Sequence, residues 1–287
     1  MTLDPIQALI LGIVQGLTEF LPISSSAHLV IIPWLLGWNG QAVNSLSFDV
    51  ALHMGTLIAV LAYFWQDWWN MIRGGLTWAT SRRDPDGQAR MLAYILVGTI
   101  PGVIAGLALE SRIDDWFHSP DVNQRATGIV IISCMMIALA LVLFAAERLA
   151  RHLRQMKDMD WRTALGVGFA QALAVIPGVS RSGSTITAGL FANLTRETAA
   201  RFSFLLGTPI ILGSGVKKAY DAVKAGGIPS GEQVGFVLGF VAALVVGYLT
   251  IAVLLRYLQR NSTMPFVVYR LIVGVLLILL VLFGFRG

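Results

Sequence analysis

The sequence predicts an all-α polytopic membrane protein with six transmembrane helices and two re-entrant helical hairpins in an inverted-topology repeat. Of the 287 residues, 56% are hydrophobic and 13% are charged, and the mean hydropathy is +0.71. Soluble domains carry about a quarter of their residues as charged side chains, so a soluble core cannot absorb this much apolar sequence. Six segments also have the length and apolar content of a membrane-crossing helix. They are approximately residues 46–66, 90–110, 124–147, 198–220, 233–259 and 264–285.

Two further apolar segments, residues 5–37 and 161–196, are each interrupted by a cluster of Pro, Ser and Gly residues. The interruptions run from Pro22 to Ser26 and from Pro177 to Ser184. These residue types interrupt a helix and leave backbone polar groups without hydrogen-bond partners, which lipid cannot supply. Such breaks therefore persist only where they are buried in protein or line a wet cavity. We therefore interpret each segment as a re-entrant helical hairpin.

The chain is expected to form a single membrane domain, residues 1–287. Its polar stretches, residues 67–89 and 148–160, are short connectors that leave no room for a separate soluble domain. The domain divides into two similar halves, at about 1–147 and 161–287. Each half contributes one hairpin and three crossings, and an odd number of crossings turns the second half upside down relative to the first.

The similarity of the two halves is visible in the sequence. Residues 12–17 (GIVQGL) align without gaps with residues 168–173 (GFAQAL), and the same register pairs Ser24 with Ser180 and Ser26 with Ser182. After a small gap, HMGT at 53–56 parallels LLGT at 205–208. Chance similarity between apolar helices is the alternative explanation.

The basic residues other than Arg181 and Arg270 are distributed unequally between the two faces. If residues 67–89 are cytoplasmic, thirteen of these residues fall on the cytoplasmic side and six on the other, as the positive-inside rule requires. The six are Arg112, Arg125, Lys217, Lys218, Lys224 and Arg286. Both termini are then expected outside, and the two hairpins enter from opposite faces and meet near mid-membrane.

The composition also excludes some functions. The net charge of +5 comes from basic residues scattered among the connectors, not from the continuous stripe that binds nucleic acid. Cys134 is the only cysteine, which rules out an intrachain disulfide and a thiolate metal cluster. Glycines at four-residue spacing let helix backbones approach closely, which makes a homodimer a candidate. They are Gly98, Gly102, Gly106, Gly235 and Gly239.

The second break has the composition of an anion-binding site. Arg181 lies at its tip within PGVSRSGST (residues 177–185), and an arginine at membrane depth is costly without an anionic partner. Glycines and hydroxyls add hydrogen-bond donors, and the helix expected to resume near Ser184 points its positive end at the break. The planar guanidinium matches phosphate oxygens. Alternatively, Arg181 is structural and bonds carbonyls of the opposing hairpin.

The first break supplies reactive groups, namely Gln15, Glu19, Ser24, Ser25, Ser26 and His28. Glu19 is a candidate base, metal ligand or ion-pair partner of Arg181. His28 is either a proton relay or a hydrogen-bonded packing residue, whereas His53 is interpreted as packing.

A hydroxyl nucleophile, a carboxylate, an imidazole and an arginine together suit phosphoryl transfer, in which charge on the phosphate oxygens must be stabilised. Because the site lies between apolar walls, the phosphate is expected on a lipid. No organic cofactor motif is present. The other polar positions of the breaks are candidates for substrate binding, namely Gln15, Ser24, Ser26, Ser180, Ser182, Gly183 and Thr185.

Residues 15–28 (QGLTEFLPISSSAH) and 177–185, in this order, resemble the two signature segments of the undecaprenyl-diphosphate phosphatase family, also called bacitracin resistance proteins. The resemblance extends over essentially the whole chain, including FDVALHMG at 48–55 and Tyr269-Arg270. It implies hydrolysis of undecaprenyl diphosphate to undecaprenyl phosphate and inorganic phosphate in the bacterial cytoplasmic (inner) membrane. This reaction recycles the carrier lipid of peptidoglycan synthesis.

The resemblance also implies residue roles. Ser25 corresponds to the proposed nucleophile, Glu19 and His28 assist it, and Arg181 with Ser180 grips the diphosphate in a site open to the extracytoplasmic side. A divalent cation, Mg or Ca, is implied as well. Gln15 stands where some members carry Glu, which places a two-carboxylate metal site in doubt.

Two rival functions follow from the same sequence. Inverted repeats with broken helices also build secondary transporters, so a carrier or flippase of a phosphorylated lipid is the main alternative. The acid-phosphatase type of lipid phosphatase uses a nucleophilic histidine and another after its arginine. No histidine follows Arg181, which argues against that class.

Overall fold

The computed structural model describes residues 3–38, 40, 45–117, 122–224 and 231–285, and most of them lie in eleven α-helices. The helices are α1 (Pro5–Phe20), α2 (Ser25–Leu36), α3 (Leu46–Tyr63), α4 (Trp65–Ser81), α5 (Gln88–Phe117), α6 (Val122–Leu149), α7 (Trp161–Ala172), α8 (Arg181–Phe191), α9 (Arg196–Lys224), α10 (Gln233–Leu258) and α11 (Met264–Leu282). The side chains of Arg112, Arg125 and Lys218, and all of Arg286, lie outside the described part, so the charge count is untested there.

Five of the described helices contain stretches long and apolar enough to cross a membrane. They are Gln88–Leu109, Ala126–Leu149, Arg196–Lys217, Gln233–Leu258 and Met264–Leu282, and they match five of the six predicted spans. The sixth predicted span, 46–66, forms α3 and then bends by 71° into α4. The chain is therefore an all-α, multi-pass membrane protein, as predicted.

The predicted polar connector over residues 67–89 is helical for most of its length, because α4 occupies much of it. The apolar residues of this helix recur at helical spacing, so that Trp65, Trp69 and Leu76 are exposed together while Met71 is buried on the opposite face. Polar residues between them lowered the mean hydropathy of the segment and hid this periodicity.

Both predicted helix breaks are present. The first separates α1 from α2, and the second separates α7 and a short 3₁₀ turn (Leu173–Val175) from α8. The second helix resumes at Arg181 and not near Ser184, because Ser180 Oγ accepts a hydrogen bond from the backbone N–H of Gly183 at 3.0 Å and caps the helix.

The two breaks have matching local geometry. Ser24 and Ser180, which the sequence alignment pairs, both have a positive φ, 79° and 71°, and both cap the helix that follows. In addition, Ser24 Oγ lies 3.3 Å from Ser26 Oγ, and Ser180 Oγ lies 3.3 Å from Ser182 Oγ. This correspondence supports the predicted repeat over chance similarity.

Glycines allow equivalent close contacts in the two halves. A Cβ at Gly12 would lie 2.9 Å from Gly239 Cα, and a Cβ at the aligned Gly168 would lie 3.0 Å from Gly98 Cα. Helix α1 therefore packs closely on α10, and α7 on α5. Of the glycines predicted to permit close packing, Gly106 alone would place a Cβ with no described atom within 4 Å. The glycine spacing thus serves packing within the chain, and the homodimer stays a prediction.

Candidate active site

The two breaks meet inside the helical bundle, as predicted, and Glu19 is the residue that joins them. This carboxylate is buried on α1. One oxygen, Oε1, accepts a hydrogen bond from the guanidinium of Arg181, with which it forms an ion pair. The other, Oε2, accepts from Ser25 Oγ at 2.6 Å and from Gln15 Nε2 at 3.0 Å. Four sequence-predicted residues thus share one hydrogen-bonded cluster.

Ser25 is placed for activation by Glu19. It is the first residue of α2, where the cap formed by Ser24 starts the helix. Its hydroxyl donates to the carboxylate, which is the geometry in which a carboxylate withdraws the proton of an attacking oxygen. The first N–H groups of a helix point away from its body with the positive end of its dipole. An anion at Ser25 would therefore be stabilised.

Arg181 holds the corresponding position in the second break, as the first residue of α8. Its side chain is 23% exposed, compared with 4% for the Glu19 side chain, so part of the arginine side chain remains accessible. A Cβ at Gly207 on α9 would lie 3.3 Å from Arg181 Nε, so the glycine leaves room for the guanidinium. The N-termini of α2 and α8 and the guanidinium together create a positively polarised region beside Glu19.

The remaining hydroxyls of the second break have structural partners. Ser182 Oγ donates to Leu21 O at 2.9 Å, which ties the second break to the first. Thr185 is fully buried, donates to Arg181 O at 2.7 Å and lies 2.5 Å from Ser203 Oγ. A Cβ at Gly183 would lie 2.9 Å from a side-chain carbon of the neighbouring helix α6. These three predicted substrate-binding residues therefore stabilise the break, and their direct contact with substrate stays untested.

His28 is held on both sides of its ring. Nδ1 lies 2.6 Å from Ser24 O, and Nε2 lies 2.6 Å from the hydroxyl of Tyr269 on α11. The two rings are stacked, with centroids 5.7 Å apart. Of the two roles considered for this histidine, the geometry favours the hydrogen-bonded packing role, in which His28 fixes the Ser24 carbonyl just before Ser25.

His53 lies closer to the reacting groups than the sequence indicated. Its Nε2 is 3.8 Å from Glu19 Oε2, and its Nδ1 is 2.8 Å from Asp49 O. His53 therefore borders the carboxylate of Glu19, and its interpretation as a packing residue stays a prediction. The detectable signal was the pair Asp49 and His53, two polar residues one turn apart in an otherwise apolar helix.

Arg270 on α11 is a second residue that the sequence left without a role. It is fully buried, and in the described part of the chain it donates hydrogen bonds to backbone carbonyls of three segments. The acceptors are Pro22 O at 3.2 Å, Met135 O at 3.4 Å, Met136 O at 3.0 Å, Gly178 O at 2.8 Å and Val179 O at 3.4 Å. Both breaks expose carbonyls that no helix satisfies, and Arg270 satisfies them together.

We expect Arg270→Met to lower both the thermal midpoint in detergent and the rate of phosphate release. Each buried carbonyl left unsatisfied costs about 1–3 kcal/mol, and the two breaks would lose their common partner. Differential scanning fluorimetry and a phosphate assay measure the two effects. Arg256→Met, at an exposed position on α10, is the matched control, and equal midpoints for the two variants would contradict the proposed role of Arg270.

Among the described residues, no cluster of three or more His, Cys, Asp or Glu side chains suits a metal ion. Glu19 is the carboxylate of the site, and Gln15 Oε1 is a buried amide oxygen without a hydrogen-bond partner. Mg²⁺ commonly binds through one or two protein oxygens, waters and substrate phosphates. The donor set therefore fits a cation that arrives with a phosphorylated substrate and not a preformed all-protein metal site.

The fold and the site define an integral membrane protein with a serine, carboxylate and arginine constellation for a phosphorylated ligand. The chain belongs to the family described as Bacitracin resistance protein BacA, whose model matches residues 8–276. Similar curated proteins carry the name undecaprenyl-diphosphatase. The protein from Thermomicrobium roseum is 48% identical over 282 residues, covering 97% of this chain and 98% of the relative. The relative from Geobacter sulfurreducens is 46% identical over 274 residues, covering 95% and 96%, and that from Pelotomaculum thermopropionicum is 43% identical over 274 residues, covering 96% of both chains.

Proposed function

We propose that this protein hydrolyses undecaprenyl diphosphate to undecaprenyl phosphate and inorganic phosphate. The observation that carries the proposal is the hydrogen bond of 2.6 Å from Ser25 Oγ to Glu19 Oε2, beside the partly accessible side chain of Arg181. The names of the relatives supply the substrate. The reaction recycles the carrier lipid of peptidoglycan synthesis, and the family description links it to bacitracin resistance.

In the proposed mechanism, Arg181 and the N-terminus of α2 bind the terminal phosphate of the diphosphate. Phosphate oxygens then compete with Glu19 for the guanidinium, which leaves the carboxylate a stronger acceptor for the Ser25 proton. Ser25 Oγ attacks the terminal phosphorus, its proton passes to Glu19, and the bond to the bridging oxygen breaks to release the lipid phosphate. Water then attacks the phosphoserine, Ser25 regains a proton, and inorganic phosphate leaves. Direct attack by water, with Ser25 only binding, is the competing route.

His53 and Gln15 complete the surroundings of the carboxylate in this mechanism. Nε2 of His53 lies near enough to Glu19 to take part in charge compensation when the carboxylate is ionised. Gln15 Nε2 donates to Glu19 Oε2, the same oxygen that accepts from Ser25, and so fixes the direction in which that oxygen faces. Both residues therefore orient the base and do not themselves react.

The proposed cation, Mg²⁺ or Ca²⁺, would be held by Glu19 and Gln15 Oε1 together with phosphate oxygens. When bound it would neutralise charge on the diphosphate. Because an amide is a weaker ligand than a carboxylate, we expect activity to need a divalent cation and Gln15→Glu to reach half-maximal activity at roughly ten-fold lower Mg²⁺. Titration of Mg²⁺ into chelator-treated protein measures this. Activity that is unchanged by chelation would remove the cation from the proposal.

The topology of the site in the membrane is part of the proposal. We infer that each broken segment is a re-entrant hairpin, that the halves are inverted, and that the protein lies in the bacterial inner membrane with both termini outside. The site then opens to the extracytoplasmic side. Blocking of single cysteines near the termini by an impermeant maleimide in intact spheroplasts tests this orientation. Light scattering of the detergent complex tests the homodimer.

The experiment that tests the function is phosphate release from undecaprenyl diphosphate by purified protein in detergent. Release of one phosphate per lipid is expected. The matching geometry of the two breaks also suits a carrier, because a pair of broken helices meeting in the bundle is a transporter feature. Movement of the lipid across vesicles without phosphate release would favour the carrier and contradict the enzyme.

A further inference from the structure

Helix α4 does not complete the membrane crossing of α3. Helix α3 contains 18 residues, and at 1.5 Å per residue it is about 27 Å long, close to the thickness of the hydrocarbon core. Helix α4 then leaves at an angle of 71°. If α3 crosses the bilayer near its normal, α4 lies close to the membrane plane.

The outer face of α4 is a continuous apolar stripe. Trp65, Trp69, Ile72 and Leu76 follow one another at helical spacing, and between 47% and 65% of each residue is exposed. Tryptophan is enriched where hydrocarbon meets headgroups, because its ring is apolar and its N–H is polar. A stripe with two tryptophans on a helix parallel to the membrane suits this boundary.

The inner face of α4 is fixed to the helical bundle. Met71 is buried, and a Cβ at Gly74 would lie 2.6 Å from Gln88 Cβ at the start of α5. Asp67 accepts a hydrogen bond of 2.6 Å from Arg201 on α9. The helix is therefore held in place from within the protein, and the stripe of its outer face stays exposed among the described residues.

The charges on α4 and at its C-terminal end are complementary to an anionic surface. Arg73 on the helix and Arg82 and Arg83 directly after it are exposed, and none of them forms an ion pair with a described carboxylate. Arg82 instead lies over the ring of Trp78, with 4.8 Å from its Cζ to the ring centroid. The single acidic residue of the helix, Asp67, is already paired with Arg201.

We propose that α4 is an interfacial helix that inserts its tryptophan stripe at the headgroup boundary, and that Arg73 on the helix, with Arg82 and Arg83 directly after it, binds the anionic lipids of that leaflet. The stripe supplies insertion and the arginines supply lipid selectivity, as in other amphipathic interfacial helices. The loops and helix ends on this face are rich in basic residues, so the leaflet is the cytoplasmic one by the positive-inside rule.

Spin labels test the depth of α4. In a Cys134→Ser background, one label replaces Trp69, a second replaces Val245 in the lipid-exposed middle of α10, and a third replaces Asn261 in the exposed α10–α11 connector. Relaxation by oxygen and by a water-soluble nickel chelate reports the depth in nanodiscs. The label at position 69 should lie between the other two. A depth equal to that of the label at position 245 would make α4 part of a broken span. A depth equal to that of the label at position 261 would place α4 in water. Either result overturns the proposal.

A second measurement tests the lipid. In nanodiscs containing phosphatidylglycerol and phosphatidylcholine, the immobilised fraction of each spin-labelled lipid gives the selectivity of the protein for the anionic one. Arg73→Gln/Arg82→Gln/Arg83→Gln should lower this selectivity by about two-fold or more. The matched control is Arg148→Gln/Arg256→Gln/Arg260→Gln, which removes the same charge at exposed positions elsewhere. Equal loss in the two variants would overturn the assignment to α4, and phosphate release serves as the check of folding for both.

Discussion

Ser25→Ala should reduce phosphate release from undecaprenyl diphosphate by about 10³-fold or more, the scale on which loss of a nucleophile acts. The hydroxyl that attacks phosphorus is removed, whereas Glu19, Arg181 and the N-terminus of α2 stay in place. The Michaelis constant should change little, because Ser25 contributes to the transition state and not to the retention of substrate. Initial rates over a range of lipid concentration measure both parameters.

The matched control for this variant is Ser26→Ala. Ser26 is the next residue in the first turn of α2. Its hydroxyl lies 3.3 Å from Ser24 Oγ, whereas the hydroxyl of Ser25 donates to the Glu19 carboxylate. It should retain most of the activity. If Ser25→Ala is as active as Ser26→Ala, water attacks directly and the covalent mechanism fails. Acid quenching of the wild type with substrate labelled in its terminal phosphate should trap label on Ser25.

The second large effect is expected for Arg181→Ala, with a loss of about 10³-fold in rate, as for other arginines that stabilise charge in phosphoryl transfer. The substitution removes the cation that binds the phosphate oxygens. It also leaves the buried carboxylate of Glu19 without its ion-pair partner, which is destabilising. A drop in activity alone would therefore not separate catalysis from folding.

Three variants separate the two effects. Arg181→Lys keeps the charge but loses the planar fork, so it should keep the thermal midpoint better than the activity. Adding Glu19→Gln to Arg181→Ala removes the unpaired carboxylate, so the double variant should regain thermal stability and remain inactive. If Arg181→Ala hydrolyses the lipid at the wild-type rate, Arg181 is a structural partner of Glu19 only.

Features that depend on neighbouring residues along the chain were predictable from the sequence. Hydropathy and length located the spans, and the clusters of Pro, Ser and Gly located both breaks. One contact between distant segments, that of Glu19 with Arg181, was an exception and could also be predicted, because a buried arginine needs an anion and few were available. Ser25 became a candidate by its position in the first break.

Features that depend on distant parts of the chain were not predictable. Arg270 stood out as a charge within a span, but its acceptors lie up to 248 positions away, and nothing local identifies them. The partners of Thr185 and Ser182 were hidden for the same reason, since a hydroxyl in a break looks identical whether it faces a ligand or a carbonyl. Helix α4 was missed because averaging hydropathy over a window erases the difference between its two faces.

The location of Arg270 in α11 also constrains the order in which the protein matures. Every other element of the site precedes this helix along the chain and emerges first during synthesis. Until α11 docks, the carbonyls of Pro22 and Gly178 lack the partner that orders them. The newly inserted protein therefore has its reacting side chains in the membrane before it has a formed site, and catalytic competence arises only with the docking of that last helix.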